Sequence, residues 1–199
     1  MNNHISYHST GKTFFQNGNS IYINYISEEP EPHLHVHDFI EISYVASGSG
    51  IHILGDKKYD VKKGDLFLIN YQTPHEFRPL NPEAEPLYIY NCVFQPDFID
   101  VKLLDYKDFK DVIQYLSFRS IFNLAPDTVD DLKLSEGENP AFENIYRKML
   151  EEFTNQEDGY IQMLRAYLNE LLITIFRSLR SSHNKTGIIS HHAGLIEQS

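Results

Sequence analysis

The chain has 199 residues, 41% hydrophobic and 23% charged, which is an ordinary globular composition with room for one core and a helical appendage. Its 17 Lys and Arg against 28 Asp and Glu leave a formal charge of −11, so the chain as it stands repels polyanions and is a poor binder of nucleic acid. No apolar run approaches the roughly 20 residues of a membrane helix. The start, Met1-Asn2-Asn3-His4, lacks the basic and apolar segments of a secretory signal, so a cytoplasmic location without a membrane partner is expected.

Residues 1–20 read as an irregular arm, with Phe14 and Phe15 as an apolar anchor between Gly11 and Gly18. From 21 to 96 apolar and polar residues alternate in short runs, which predicts antiparallel strands at 21–26, 39–46, 51–54, 58–61, 66–69, 75–77 and 87–94. Gly48-Ser49-Gly50, Gly55-Asp56, Lys63-Gly64-Asp65 and the stretch 79–86 break the runs, so a closed or sandwiched β unit is expected. The single cysteine, Cys92, lies in an apolar run with no adjacent base and reads as a small buried residue.

Residues 97–138 read as a connection, with a helix expected within 112–124 and a solvated acidic loop through Asp127, Asp130, Asp131, Glu136 and Glu138. Residues 139–182 switch to helical periodicity. Asn139-Pro140 is an N-cap followed by proline at the first helical position, and Phe142, Ile145, Tyr146, Met149, Leu150 and Phe153 fall on one stripe. A second helix is expected from near Asp158 to near Arg180. Leu164, Leu168, Leu171, Ile175 and Leu179 on it approximate a coiled-coil seam, so these five are the expected homodimer interface. Residues 183–199 read as a linker.

The chemistry is concentrated in histidines. In a strand continuing from His33-Leu34-His35-Val36-His37 into 39–45, odd-numbered residues share a face, and His35, His37 and Glu41 project together. His75 arrives from a later strand and can complete the set. Two or three imidazoles and a carboxylate can hold zinc, nickel, iron or manganese. The same groups can instead hydrogen-bond a polar effector directly, or form an internally satisfied network. His52 alternates opposite Ile51 and Ile53 and is expected to point outward. Tyr22, Tyr44, Tyr88 and Tyr90 fall on strands, where a ring can stack on a sugar face; Tyr22, Tyr44 and Tyr90 join the candidate ligand residues.

The spacing of His35, His37, Glu41 and Gly48 matches the first cupin signature, H-x-H-x3-E-x6-G, without a gap. Gly64 and His75 match the second, G-x5-P-x-G-x2-H, in register, with Asn70 and Gln72 in place of its proline and glycine. The run from His37 to Val45, then Gly48-Ser49-Gly50, Tyr59, residues 63–69 and Pro74-His75, resembles the N-terminal effector domain of AraC-type transcriptional regulators. The resemblance implies a mainly β protein, a cupin (double-stranded β-helix, or jelly-roll) barrel followed by an antiparallel pair of helices. It further implies a small polar effector such as a carbohydrate, a homodimer, no catalysis, and an arm that folds over the effector. In such proteins DNA is bound by two helix-turn-helix units. No such pattern follows Arg180, so DNA contact is expected only through a C-terminal part missing from this chain. The competing expectation is a small cupin metalloenzyme, an isomerase or dioxygenase, with a metal on His35, His37, Glu41 and His75.

Overall fold

The computed structural model describes residues 7–15, 18–29, 31, 33–81, 83, 85–115, 132–135 and 139–186. An edge strand β1 (Tyr7–Ser9) and a single helical turn α1 (Gly11–Phe14) form the arm. There follow β2 (Ile21–Ser27), β3 (His35–His37), β4 (Ile40–Ser47), β5 (Ser49–Leu54), β6 (Lys57–Lys62), β7 (Asp65–Ile69), β8 (His75–Pro79) and β9 (Tyr88–Phe94). Two 3₁₀ turns lead to α2 (Lys107–Tyr115), then β10 (Leu132–Ser135), α3 (Pro140–Asn155) and α4 (Tyr160–Thr186).

The strands form two five-stranded sheets, ordered β1-β3-β8-β5-β6 and β10-β7-β4-β9-β2, in which every pairing is antiparallel except β1 with β3. This is the expected barrel followed by an antiparallel helix pair. β4 is buried on both faces, so it lacks the apolar-polar alternation of a strand with one wet side. Ile40, Ile42 and Tyr44 face the helices with Leu66, Leu68, Cys92 and Phe94, while Val45 joins Phe67, Ile69, Phe77 and Ile89 between the sheets. Cys92 is fully buried there, and burial pushes its thiol pKa well up, which makes it inert packing.

The helix pair is held on the second sheet by α3. Asn139 caps α3, its side chain accepting from the Ala141 amide at 3.0 Å, with Pro140 in the first turn. The buried Tyr146 hydroxyl donates to the Ile42 carbonyl at 2.7 Å, and its ring stacks on Tyr44 and Tyr90 at 5.8 and 5.5 Å.

The coiled-coil seam expected on α4 is corrected by this packing. Leu164, Leu168, Leu171, Ile175 and Leu179 are between 0% and 7% exposed and belong to the chain's own core. A helix packed on the helices and sheet edge of its own chain needs the same three-and-four spacing as a helix lying on its twin. The exposed positions of α4 instead include Gln162, Met163, Ala166, Glu170, Arg177 and Arg180.

The helix expected within 112–124 begins earlier, at Lys107; residues 116–131 lie outside the described residues, as does the acidic loop through Asp127, Asp130, Asp131, Glu136 and Glu138. Residues 187–199 of the expected linker also lie outside them, and α4 runs four residues past the expected 182.

Candidate functional site

His35, His37 and Glu41 do not lie on one continuous strand. The chain bends at Asp38 and Phe39 and crosses from the first sheet to the second, so the two histidines and the glutamate reach the interior from facing walls. The two-residue bend preserves their parity. His75 lies directly opposite His35 in the ladder, with ring centroids 4.3 Å apart.

The turn that delivers His75 keeps a glycine conformation without the glycine. Gln72 takes a φ of 55°, in the left-handed region, at a cost of about 1–2 kcal/mol for a residue with a Cβ. Its amide donates to the His37 carbonyl at 2.9 Å, which ties the turn before His75 to the end of β3. Gly48 has a φ of 82° for a harder reason, since a Cβ there would collide with the Pro86 carbonyl.

Glu41 is the hub. Its Oε2 lies 3.6 Å from His37 Nε2 and 3.8 Å from His75 Nε2, and its Oε1 accepts from the Ser43 hydroxyl at 2.8 Å. Ser43 Oγ lies 2.8 Å from Asn91 Oδ1 as well. His35, Glu41 and His75 each offer a ligand atom within 4.8 Å of the others, and His37 adjoins the trio through Glu41.

The ring protons can be placed by chemistry. His35 Nδ1 is 2.8 Å from the His33 carbonyl, and His37 Nδ1 is 2.7 Å from the Phe39 carbonyl. A carbonyl only accepts, so each Nδ1 carries the hydrogen and each Nε2 a lone pair. Burial pushes all these imidazoles toward the neutral form, His37 to about 4 and His75 well below its ordinary value. Burial also lifts the Glu41 carboxyl to about 7, against a smaller lowering by the Ser43 hydroxyl. Among the described residues His37 Nε2 and both nitrogens of His75 have no hydrogen-bond partner. Neutral imidazoles with free lone pairs beside a buried carboxylate are the donor set that a divalent transition metal takes, so the residues fit such an ion.

Two neighbours flank the cluster, neither of them legible in the motif. Tyr7 stacks on His35, and Glu28, at the end of β2, is near enough to Glu41 that burial first, then Glu41 and Glu29, raise its carboxyl to about 7. Glu28 and Glu41 in turn add to the effect of burial in raising the Tyr7 phenol. His33 sits outside, half-exposed, 3.8 Å from Glu29.

His52 does not point outward as its alternation with Ile51 and Ile53 suggests. It points inward, fully buried, because Gly50, His52 and Leu54 are the inward residues of β5 and the apolar Ile51 and Ile53 are the half-buried outer ones. Its ring stacks on Phe77 at 3.7 Å and lies 5.8 Å from that of His75. The three tyrosines expected to meet a ligand pack on other rings instead. Tyr44 and Tyr90 lie in the helix-facing layer against Tyr146, on the opposite face of the second sheet from Glu41. Tyr22 packs between Phe14 and Phe153, and reaches the site only through Phe14 and Phe39, whose ring stacks on His37 at 4.4 Å. Tyr44 and Tyr90 belong to the stripe that serves helix packing, whereas Tyr22, level with Val93 and Glu41 in the ladder, is on the cluster's face of the sheet but packs its ring on Phe14 and Phe153.

Residues 22–172 match the model of a known family, the AraC-like ligand binding domain. The chain belongs to that family. It is 33% identical over 69 residues to the HTH-type transcriptional activator RhaR of Escherichia coli (strain K12), and equally to that of Shigella flexneri serotype 5b (strain 8401). Those matches cover 35% of this chain and 23% of each relative, so the chain spans about a quarter of the length of the curated relatives it matches. Solved structures that it resembles include a cupin 2 conserved barrel domain protein from Rhodopseudomonas palustris, at 22% identity and a TM-score of 0.34 over 41% of this chain and 56% of that one. Another is a cupin-2 domain from Rhodospirillum rubrum, at 25% identity and a TM-score of 0.35 over 41% of this chain and 55% of that one. No helix among the described residues is long and apolar enough to cross a membrane.

Proposed function

We propose that this AraC-like ligand-binding domain senses a small polar molecule through a divalent transition metal held by His35, His37, Glu41 and His75. The observation that carries the reading is the pair of carbonyl-anchored imidazoles, His35 and His37, whose Nδ1 hydrogens are committed to the backbone and whose Nε2 lone pairs are thereby left for a ligand. The ligand atoms of His35, Glu41 and His75, within 4.8 Å of one another, suit a single ion rather than a sugar ring. When bound, the ion supplies a Lewis-acidic position for an effector hydroxyl or carbonyl oxygen. Tyr7 and Glu28 flank that position, and their phenol and carboxyl suit the hydroxyls of a carbohydrate better than a phosphate or carboxylate.

The relatives' name, HTH-type transcriptional activator, supports DNA binding by a helix-turn-helix region of the whole protein in the cytoplasm. The net charge of −11 supports placing that contact outside this chain. Homodimerisation through the helix pair uses the outer face of α4, with the exposed Met163 near its start, because the inner face is consumed by α3, α2 and the sheet edge. The domain itself turns over nothing.

The test is thermal unfolding of metal-free protein with zinc, nickel, manganese or ferrous ion, followed by a panel of monosaccharides. A specific ligand at 100 times its Kd stabilises by about 2.7 kcal/mol. A metal-dependent upward shift that a sugar then extends is expected, and no shift with any metal or sugar overturns the reading. Isomerisation of the sugar, or oxygen consumption, by the metal-loaded protein assigns the chain to the metalloenzymes instead.

A further inference from the structure

His35 and His37 each have a backbone carbonyl to hold the ring in place, and His75 has none. Its Nε2 faces Glu41 at 3.8 Å; an ion held there would take the Nε2 lone pair and leave the hydrogen on Nδ1 in need of an acceptor, and among the described residues that atom has no partner. The polar ring diagonal to it on the same inner face of the sheet is His52.

We propose that His52 is a positioning residue for the metal centre, accepting the Nδ1 hydrogen of His75 and so fixing His75 with its Nε2 lone pair turned to Glu41. This rests on the metal-binding reading above. His52 is fully buried with both ring nitrogens unpaired, an arrangement that costs stability unless something uses it. Packing alone does not explain the residue, since the site between Phe67 and Phe77 would be filled as well by a wholly apolar ring. An in-line N–H···N bond between imidazoles puts ring centroids roughly 5.3 Å apart. The observed 5.8 Å is within about half an ångström of that, the looseness usual before a site is loaded. Burial, with the Lys133 ammonium adding to it, keeps His52 neutral and so able to accept. His52 thereby does for His75 what the carbonyls of His33 and Phe39 do for the other two imidazoles.

The experiment is ¹⁵N-edited NMR of the histidine rings in the metal-free chain, with cobalt(II) titrations beside it. In the wild type His75 is expected as a single Nδ1–H tautomer, with a ¹⁵N–¹⁵N coupling to His52. In His52→Phe it is expected as a tautomer mixture, with cobalt bound at least about tenfold more weakly, a changed visible spectrum and metal-free thermal stability unchanged or higher. In His52→Gln, which keeps an acceptor, the tautomer and affinity are expected to recover in part. A tautomer mixture in the wild type overturns the proposal, as does a tautomer unchanged in His52→Phe. Wild-type protein that binds no cobalt sinks the metal reading alone, because the tautomer of His75 still decides the role of His52.

Discussion

The ring of Tyr7 lies flat on that of His35, with centroids 4.8 Å apart and planes 2° from parallel. The arm strand runs parallel beside β3 and sets Tyr7 opposite His35 in the ladder, so the arm is joined to the site by backbone and by ring. A stacked pair of this kind contributes about 0.5–1.5 kcal/mol beyond burial. Tyr7→Ala is therefore expected to leave global unfolding nearly unchanged while speeding amide exchange at Val36 and His37 and the loss of bound metal to a chelator. Unaltered exchange and metal loss in the variant would show that the arm does not cover the site.

Glu41→Gln separates function from stability. The folded carboxyl, raised to about 7, lies above the roughly 4.3 of an unfolded glutamate. Its stability contribution is thus complete below pH 4.3 and lost as pH rises to 7. The neutral glutamine escapes that loss, so metal-free Glu41→Gln should melt higher than wild type at pH 8, equal it near pH 4, and bind metal poorly at both. A lower melting temperature at pH 8 would mean that the carboxylate is held by a favourable partner.

The imidazoles act in the opposite sense. His37, lowered to about 4, stays neutral in the fold while the unfolded chain takes up a proton near 6.5, so its contribution is lost as pH falls from 6.5 to 4. His35, His52 and His75 shift the same way, four imidazoles against the two carboxyls Glu28 and Glu41. Metal-free protein is expected to lose thermal stability as pH drops through that window, and His37→Gln is expected to flatten the slope. Stability that rises on acidification would contradict the buried, neutral cluster.

Leu168→Ala tests the reassigned helix face. A fully buried leucine truncated in a core costs about 2–5 kcal/mol. Chemical denaturation should show that loss with the oligomeric state unchanged by sedimentation, whereas Met163→Arg should shift the oligomeric state with stability preserved. The reverse pattern would restore the seam to the surface.

Much of this architecture was readable as sequence. The β-to-α division at Asn139 was visible because the apolar period changes there and an N-cap with proline marks the change. The inward aim of His35, His37 and Glu41 followed from parity, although the bend at Asp38 and Phe39 that carries the chain between sheets left no mark on the pattern. The edge strands Tyr7–Ser9 and Leu132–Ser135 form only against partners distant in sequence, so no local periodicity announced them. The inward aim of His52 is hidden in the sequence because Ile51 and Ile53, the more apolar residues of β5, are the half-buried outer ones. Tyr44 and Tyr90 followed the helix-facing parity of β4 and β9, which spacing within a single strand cannot distinguish from the ligand-facing one.

The most direct measurement is anomalous diffraction from crystals of metal-free protein soaked in zinc, collected at the zinc edge. One peak per chain is predicted between His35, Glu41 and His75, with His37 drawn in, at about 2.0–2.2 Å from each ligand atom. A peak only at surface carboxylates, or none at the cluster at full soak, would contradict a metal-holding barrel.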